Sequence, residues 1–240
     1  MKEEIIYGIN PVMGALKSGA KITEIFLVES KFETEIEEFK SAGIKISPLS
    51  NLNFEDYPIL EGNNVQGIVA FVIPKQLLSV KEIILISKKQ KENPVLVISD
   101  KITDPQNIGA ICRNIVAFDA QGLIIPKFNQ SPINATVHKA SAGYSFKTNI
   151  AQTSSMSNAV KELKEAGFWI VDTRMDGKMS IEQLRDYDAP LVIVLGSEGK
   201  GVSPGLSKQA DMSLSVNMSG DVESLNVSAT SAIILHGLQK

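Results

Sequence analysis

The chain has 240 residues, 43% of them hydrophobic and 21% charged, with a net charge of −3. That composition suits one large domain or two modest ones with a true core, and excludes a disordered or low-complexity polymer. The longest apolar runs, such as LVIVLG at 191–196, are too short to span a bilayer. One cysteine, Cys112, leaves no internal disulfide and fits a reducing compartment. The opening MKEEIIYGIN carries acids where a secretion signal needs a basic start and an apolar stretch, so the expected location is the cytoplasm, with no membrane partner. Residues 1–75 hold 7 basic and 11 acidic side chains, whereas residues 76–240 hold 17 and 16. Local patches on an acidic protein still bind phosphates, so charge alone does not exclude a nucleic-acid partner.

In chain order, NPVMGALKSG reads as a helix, EIFLV as a strand, ETEIEEFKSAG as a helix stopped by glycine, IKISPL as extended and VQGIVAFVI as a buried strand. These make a small α/β unit over residues 1–74. Pro74 ends it, and LLSVKEIILISKKQKEN carries a helical apolar pattern, a linking helix within 75–93. From Pro94 to residue 240, short apolar runs (VLVIS, GLIIP, FWIVD, LVIVLG, MSLSV) alternate with helical or polar segments, the last helix starting near 226. Buried runs of about five residues separated by helices indicate βαβ crossovers and a parallel sheet. Ligands then bind beyond the carboxyl ends of the strands, so the loops after the apolar runs hold the informative residues.

Three such loops stand out. In ITDPQNIGAICRNI, at 102–115, Asp104-Pro105 and Asn107 are candidate helix caps. Ile108, Ile111, Cys112, Ile115 and Val116 form one apolar stripe. Arg113, one of 3 arginines against 21 lysines, lies opposite that stripe among Gly109, Ala110 and Ala117. It either points into a site or a partner subunit, or snorkels over small residues on a free face. A glycine inside a helix costs about 1 kcal/mol relative to alanine, which argues for a close approach at Gly109. The second loop, LVIVLGSEGKGVSP, sets Gly196, Gly199 and Gly201 around Glu198. It is not a phosphate-binding Walker loop: the glycine spacing is wrong and Lys200 precedes glycine rather than Ser or Thr. It is either a site for a cationic or hydroxyl-rich ligand or a plain glycine turn. In the third, SLSVNMSGDVESLNVSATSAIILHGLQ, a strand ending near Val216 leads to Ser224-Leu225-Asn226. These cap the last helix or present polar groups to the same crevice. His138 and His236 have no acid or cysteine at ligand spacing, so no metal is expected.

The order and spacing of NIGAICR, LVIVLGSEGKGVSP and SLNVSATSAIILH resemble the three motifs of the SpoU family, within the SPOUT class of RNA methyltransferases. IYGINPVMGAL and VQGIVAFV resemble the substrate-binding domain joined to that core in the RlmB-type members, which methylate a guanosine ribose in 23S rRNA. The resemblance implies a SPOUT-type parallel sheet with a C-terminal trefoil knot over 94–240, preceded by the small α/β substrate-binding domain. It implies S-adenosylmethionine as cofactor, held at Leu195, Gly196, Val216, Met218 and Leu225. It also implies polar site residues Asn107, Arg113, Glu198, Ser224 and Asn226, with Arg113 activating the 2′-hydroxyl, and a homodimer with the site at the subunit interface. Arginine is a poor base, so Arg113 is expected to stabilise the developing alkoxide and bind phosphate rather than accept the proton.

The expected partner is structured RNA, 23S rRNA first. A tRNA ribose methyltransferase and a non-catalytic RNA-binding or ribosome-assembly factor are the alternatives. Three positions depart from the family pattern. Asp119 stands for a small residue, Asn217 for the proline before Met218, and Tyr144 for alanine.

Overall fold

The computed structural model describes residues 3–197, 199–220 and 224–239. Contacts divide the chain into two units, residues 1–76 with 133–147, and residues 77–132 with 148–240. No helix among the described residues is long and apolar enough to cross a membrane.

In the first unit, β1 (Glu4–Tyr7), α1 (Ile9–Lys17), β2 (Ile22–Leu27), α2 (Glu33–Ser41), β3 (Lys45–Pro48) and β4 (Ile68–Val72) follow one another. The strands form one sheet in the order β1-β4-β2-β3, parallel only between β2 and β3. Ile6, Val12, Ile25, Phe39, Ile68 and Val72 are its buried centre.

The second unit begins with α3 (Val80–Gln90), which a capping box starts: Ser79 Oγ accepts from the Glu82 N–H while Glu82 accepts from the Ser79 N–H. Then come β5 (Val95–Asp100), α4 (Pro105–Ala117) and β6 (Gly122–Pro126). The chain next passes through α5 (Ala135–Ala140), which belongs to the first unit, and returns in β7 (Ile150–Thr153). α6 (Met156–Glu165), β8 (Trp169–Thr173), α7 (Ile181–Arg185), β9 (Leu191–Gly196), α8 (Pro204–Ser207), β10 (Met212–Leu214) and α9 (Val227–Gly237) complete it. The strands lie parallel in the order β10-β8-β9-β5-β6-β7. α3, α6 and α8 cover one face through Ile83, Leu163 and Leu206, packed on Leu96, Ile98, Val192 and Val194. α4 and α9 pack together, α4 against β6 and α9 against β9. The strand expected to end near Val216 ends at Leu214 instead; β10 lies at the sheet edge, and beyond β8 it meets only a one-residue bridge from Leu214 to Met179.

The excursion at 133–147 is bound into the first unit by polar and steric contacts. His138, on α5, is buried, with Nδ1 2.7 Å from Ser145 Oγ and Nε2 3.7 Å from Glu4 of β1. Ser141 Oγ donates to Ser145 Oγ, and Phe146 stacks on the His138 ring at 4.1 Å. Gly143 adopts φ +84°, and its backbone meets Gly14 of α1 so closely that a Cβ on Gly14 would lie 2.7 Å from Gly143 Cα.

Candidate active site

The central strands β5 and β9 run in parallel register from Val95–Leu191 to Asp100–Gly196, so Asp100 and Gly196 end side by side. Two features hold the loop after β9 against them. Ser197 and Gly201 exchange backbone hydrogen bonds of 2.9 and 3.1 Å, and the Ser203 N–H donates to the buried Asp100 carboxylate at 2.7 Å. The turn needs positive φ at Gly199 (+77°) and Gly201 (+63°). Gly196 serves a different purpose: a Cβ there would fall 2.0 Å from the Gly201 carbonyl carbon. Glycine is therefore the residue that lets the loop fold back onto the strand end.

On the other side of β5, Asp104 caps α4 by accepting from the Gln106 N–H at 2.9 Å, with Pro105 in the first turn. Of the two candidate caps it is Asp104 that acts. Asn107 lies one turn in and is 5% exposed. Its Oδ1 accepts from Asn226 Nδ2 at 2.9 Å, while Asn226 Oδ1 caps α9 through the Ser228 N–H at 2.8 Å. Asn226 thus caps α9 and at the same time ties that cap to Asn107. Asn114 joins the same two helices, donating to Ser228 O and Ser231 Oγ. Ile108, Ile111, Cys112 and Ile115 are buried as the stripe requires, and burial pushes the Cys112 thiol up to about 12. Arg113 is exposed on the opposite face.

A cleft of about 820 Å³ opens at these strand ends. It is lined by Gly196, Val216, Met218, Ser224, Leu225 and Asn226, all anticipated from sequence. Leu195 is buried one residue behind the cleft in β9. Asn107 reaches it through Asn226, Arg113 is not among its lining residues, and Glu198 lies outside the described residues. Sequence reading missed Arg174, Lys200 and Thr230 on the cleft wall. Position two residues after the apolar run FWIVD could have found Arg174, by the same rule that found the other loops. Two of the three residues that depart from the family pattern have local contacts or geometry of their own. Asp119 takes φ +54° and pairs with Lys91 at 2.9 Å, and Tyr144 lies under the Lys147 ammonium.

A family model described as the SpoU rRNA Methylase family matches residues 94–236, and one described as RNA 2'-O ribose methyltransferase substrate binding matches residues 5–78. The 23S rRNA (guanosine-2'-O-)-methyltransferase RlmB of Shewanella oneidensis is 34% identical over 239 residues, covering 98% of this chain and 96% of its own. An uncharacterized tRNA/rRNA methyltransferase of Synechocystis is also 34% identical over 97% of this chain, which spans 61% of that relative's length. Among solved structures, the SpoU methyltransferase AviRb of Streptomyces viridochromogenes, in complex with AdoMet, has a TM-score of 0.75 at 21% identity. That match covers 98% of this chain and 89% of AviRb, and what it shares is the fold.

Proposed function

Since the chain belongs to the SpoU rRNA methylase family, we propose that it transfers a methyl group from S-adenosylmethionine to a ribose 2′-hydroxyl of structured RNA. The observation that carries this reading is the cleft at the ends of β9 and β10, where Asn226 on its wall is hydrogen-bonded to the buried Asn107. The cleft fits the cofactor in kind. Val216, Met218 and Leu225 give apolar walls for a nucleoside, and Gly196 lets the loop carrying Gly199 and Gly201 fold back onto the strand end beside them. When bound, S-adenosylmethionine supplies a methyl on a sulfonium, so that transfer forms an O–CH3 bond, breaks the S–CH3 bond and leaves the electron pair on a neutral thioether.

The protein's own part is alignment and charge. Asn107 and Asn226 are held to each other and to the N-terminus of α9, which fixes two amides at the cleft. Arg113 is exposed, with a planar fork suited to a phosphate or a developing alkoxide; a guanidinium stays charged and so stabilises the oxyanion rather than taking the proton. Glu198 is proposed with them on its motif position. Because Arg113 lies off the cleft of its own chain, a second copy covering the α4 face is part of the proposal, with the trefoil knot of the family and a cytoplasmic location.

A guanosine of 23S rRNA is the favoured substrate, on the name and near full-length match of the Shewanella relative and on the substrate-binding match at residues 5–78. The printed name of the Synechocystis relative keeps tRNA as the second reading. Methyl transfer from labelled cofactor to unmodified rRNA and tRNA, followed by mapping of the modified ribose, tests both. Labelling of tRNA alone overturns the rRNA assignment, and no labelling with no cofactor binding favours an assembly factor. Arg113→Lys is expected to cut transfer at least about tenfold while leaving S-adenosylhomocysteine affinity unchanged. Near-wild-type transfer would remove the bidentate role.

A further inference from the structure

Arg174 is the second of three arginines, and the reaction as described so far gives it no part. It follows directly on β8 and lines the same cleft as Val216 and Leu225. Its backbone N–H donates to Leu214 O at 3.0 Å, which fixes its stem beside the end of β10. Behind it stands Asp172, whose side chain is 0% exposed. Asp172 Oδ2 accepts from Ser207 Oγ at 2.7 Å, whereas Oδ1 accepts no hydrogen bond among the described residues. Arg174 Nε lies 3.6 Å from that oxygen and 3.8 Å from Asp176.

A fully buried carboxylate is tolerated only beside compensating charge, so Asp172 holds the Nε side of the guanidinium. Among the described residues, Nη1 and Nη2 make no hydrogen bond, which leaves that edge of the fork for a ligand in the cleft. Two aspartates at its back offset the arginine's charge, so it can share a cleft with a ligand that itself carries a sulfonium. That ligand offers one anionic group, the carboxylate of its amino-acid moiety.

We propose that Arg174 binds this carboxylate and so anchors the amino-acid end of the cofactor, an inference that rests on the S-adenosylmethionine reading of the cleft. An RNA phosphate is the competing anion. The cofactor is favoured because Arg174 is tied to the strand end whose continuation, through Val216 and Met218, walls the cleft.

The test is calorimetric and needs no turnover. S-adenosylhomocysteine carries the carboxylate; 5′-methylthioadenosine has the same nucleoside and thioether without the amino-acid moiety. Arg174→Met keeps an apolar stem and removes the charge. It is expected to weaken S-adenosylhomocysteine about tenfold, with 5′-methylthioadenosine within about twofold of wild type. Arg174→Lys should recover part of the loss. Retained 5′-methylthioadenosine binding also certifies that the variant is folded. In the unmodified protein, added salt should weaken the first ligand more than the second. Equal losses for both ligands, or no loss for either, overturns the proposal. If the unmodified protein binds neither nucleoside, the cofactor reading itself falls and takes the inference with it.

Discussion

Replacing Gly196 by alanine would put a methyl carbon 2.0 Å from the Gly201 carbonyl carbon, 2.1 Å from Val202 N and 2.3 Å from Gly201 O. All three are backbone atoms, and ordinary contact begins at 3.4 Å, so one side must move by at least about 1.4 Å. β9 cannot recede, because it is hydrogen-bonded to β5 on one side and β8 on the other. The loop at 197–202 therefore lifts. What it gives up is the Ser197–Gly201 pair of backbone hydrogen bonds and the bond from the Ser203 N–H to the Asp100 carboxylate. Two neutral bonds at about 1 kcal/mol each and one to a charged group at about 1.5–3 give a loss of about 3.5–5 kcal/mol if all three break. If the loop yields locally, the cost moves from global stability to binding. Urea unfolding, read as a midpoint at constant m-value, and calorimetric titration with S-adenosylhomocysteine measure the two parts. A Gly196→Ala protein with both the unfolding midpoint and the ligand affinity of the parent refutes the close-approach argument.

Asn226→Asp keeps an acceptor to cap α9 but turns the donor facing Asn107 Oδ1 into a second acceptor. Methyl transfer is expected to collapse while thermal stability changes little; full transfer activity would show that the Asn107–Asn226 bond is not needed at the site. The raised Cys112 thiol has a simple sign: the folded state favours the protonated form, so its contribution is present below about pH 9 and lost as pH rises toward 12. Unfolding free energy compared between parent and Cys112→Ala at pH 8 and 10.5 should diverge at up to about 1.4 kcal/mol per pH unit. Fast alkylation of the native thiol at pH 8 would contradict its burial. In the first unit, Gly143→Ala is expected to destabilise more than Gly14→Ala. Both force backbone apart, but only Gly143 also holds φ +84°. Melting temperatures in the reverse order would refute this.

VLVIS, GLIIP, FWIVD and LVIVLG are legible as strands because a parallel strand covered on both faces must be apolar throughout. β7 is not legible: at the sheet edge it buries only Ile150 and Ala151, and Gln152 and Thr153 make it read as polar. The stripe on α4 follows from helical period alone, whereas the burial of Asn107 depends on Asn226, 119 residues away. The same distance problem hides Asp100 and Asp172. Each sits within an apolar strand like any terminal acid, and its hydrogen-bond donor, Ser203 for Asp100 and Ser207 for Asp172, is brought back only by the later crossovers. Glycines in a motif announce a site; the carboxylates that brace the loops beside it are silent until the fold assembles them.

The assignment of residues 133–147 to the first unit means that three chain connections, near 76, 132 and 147, join the two units. Synthesis at about 5–20 residues per second delivers β1 to β4 well before α5, so the amino-terminal unit leaves the ribosome lacking the piece that carries His138, Ser141 and Ser145. It must wait for β5, α4 and β6 to be made before it can close. A protease cut at any single one of the three connections splits the chain in two, yet the contacts inside each unit still hold the fragments while the other two connections join the units.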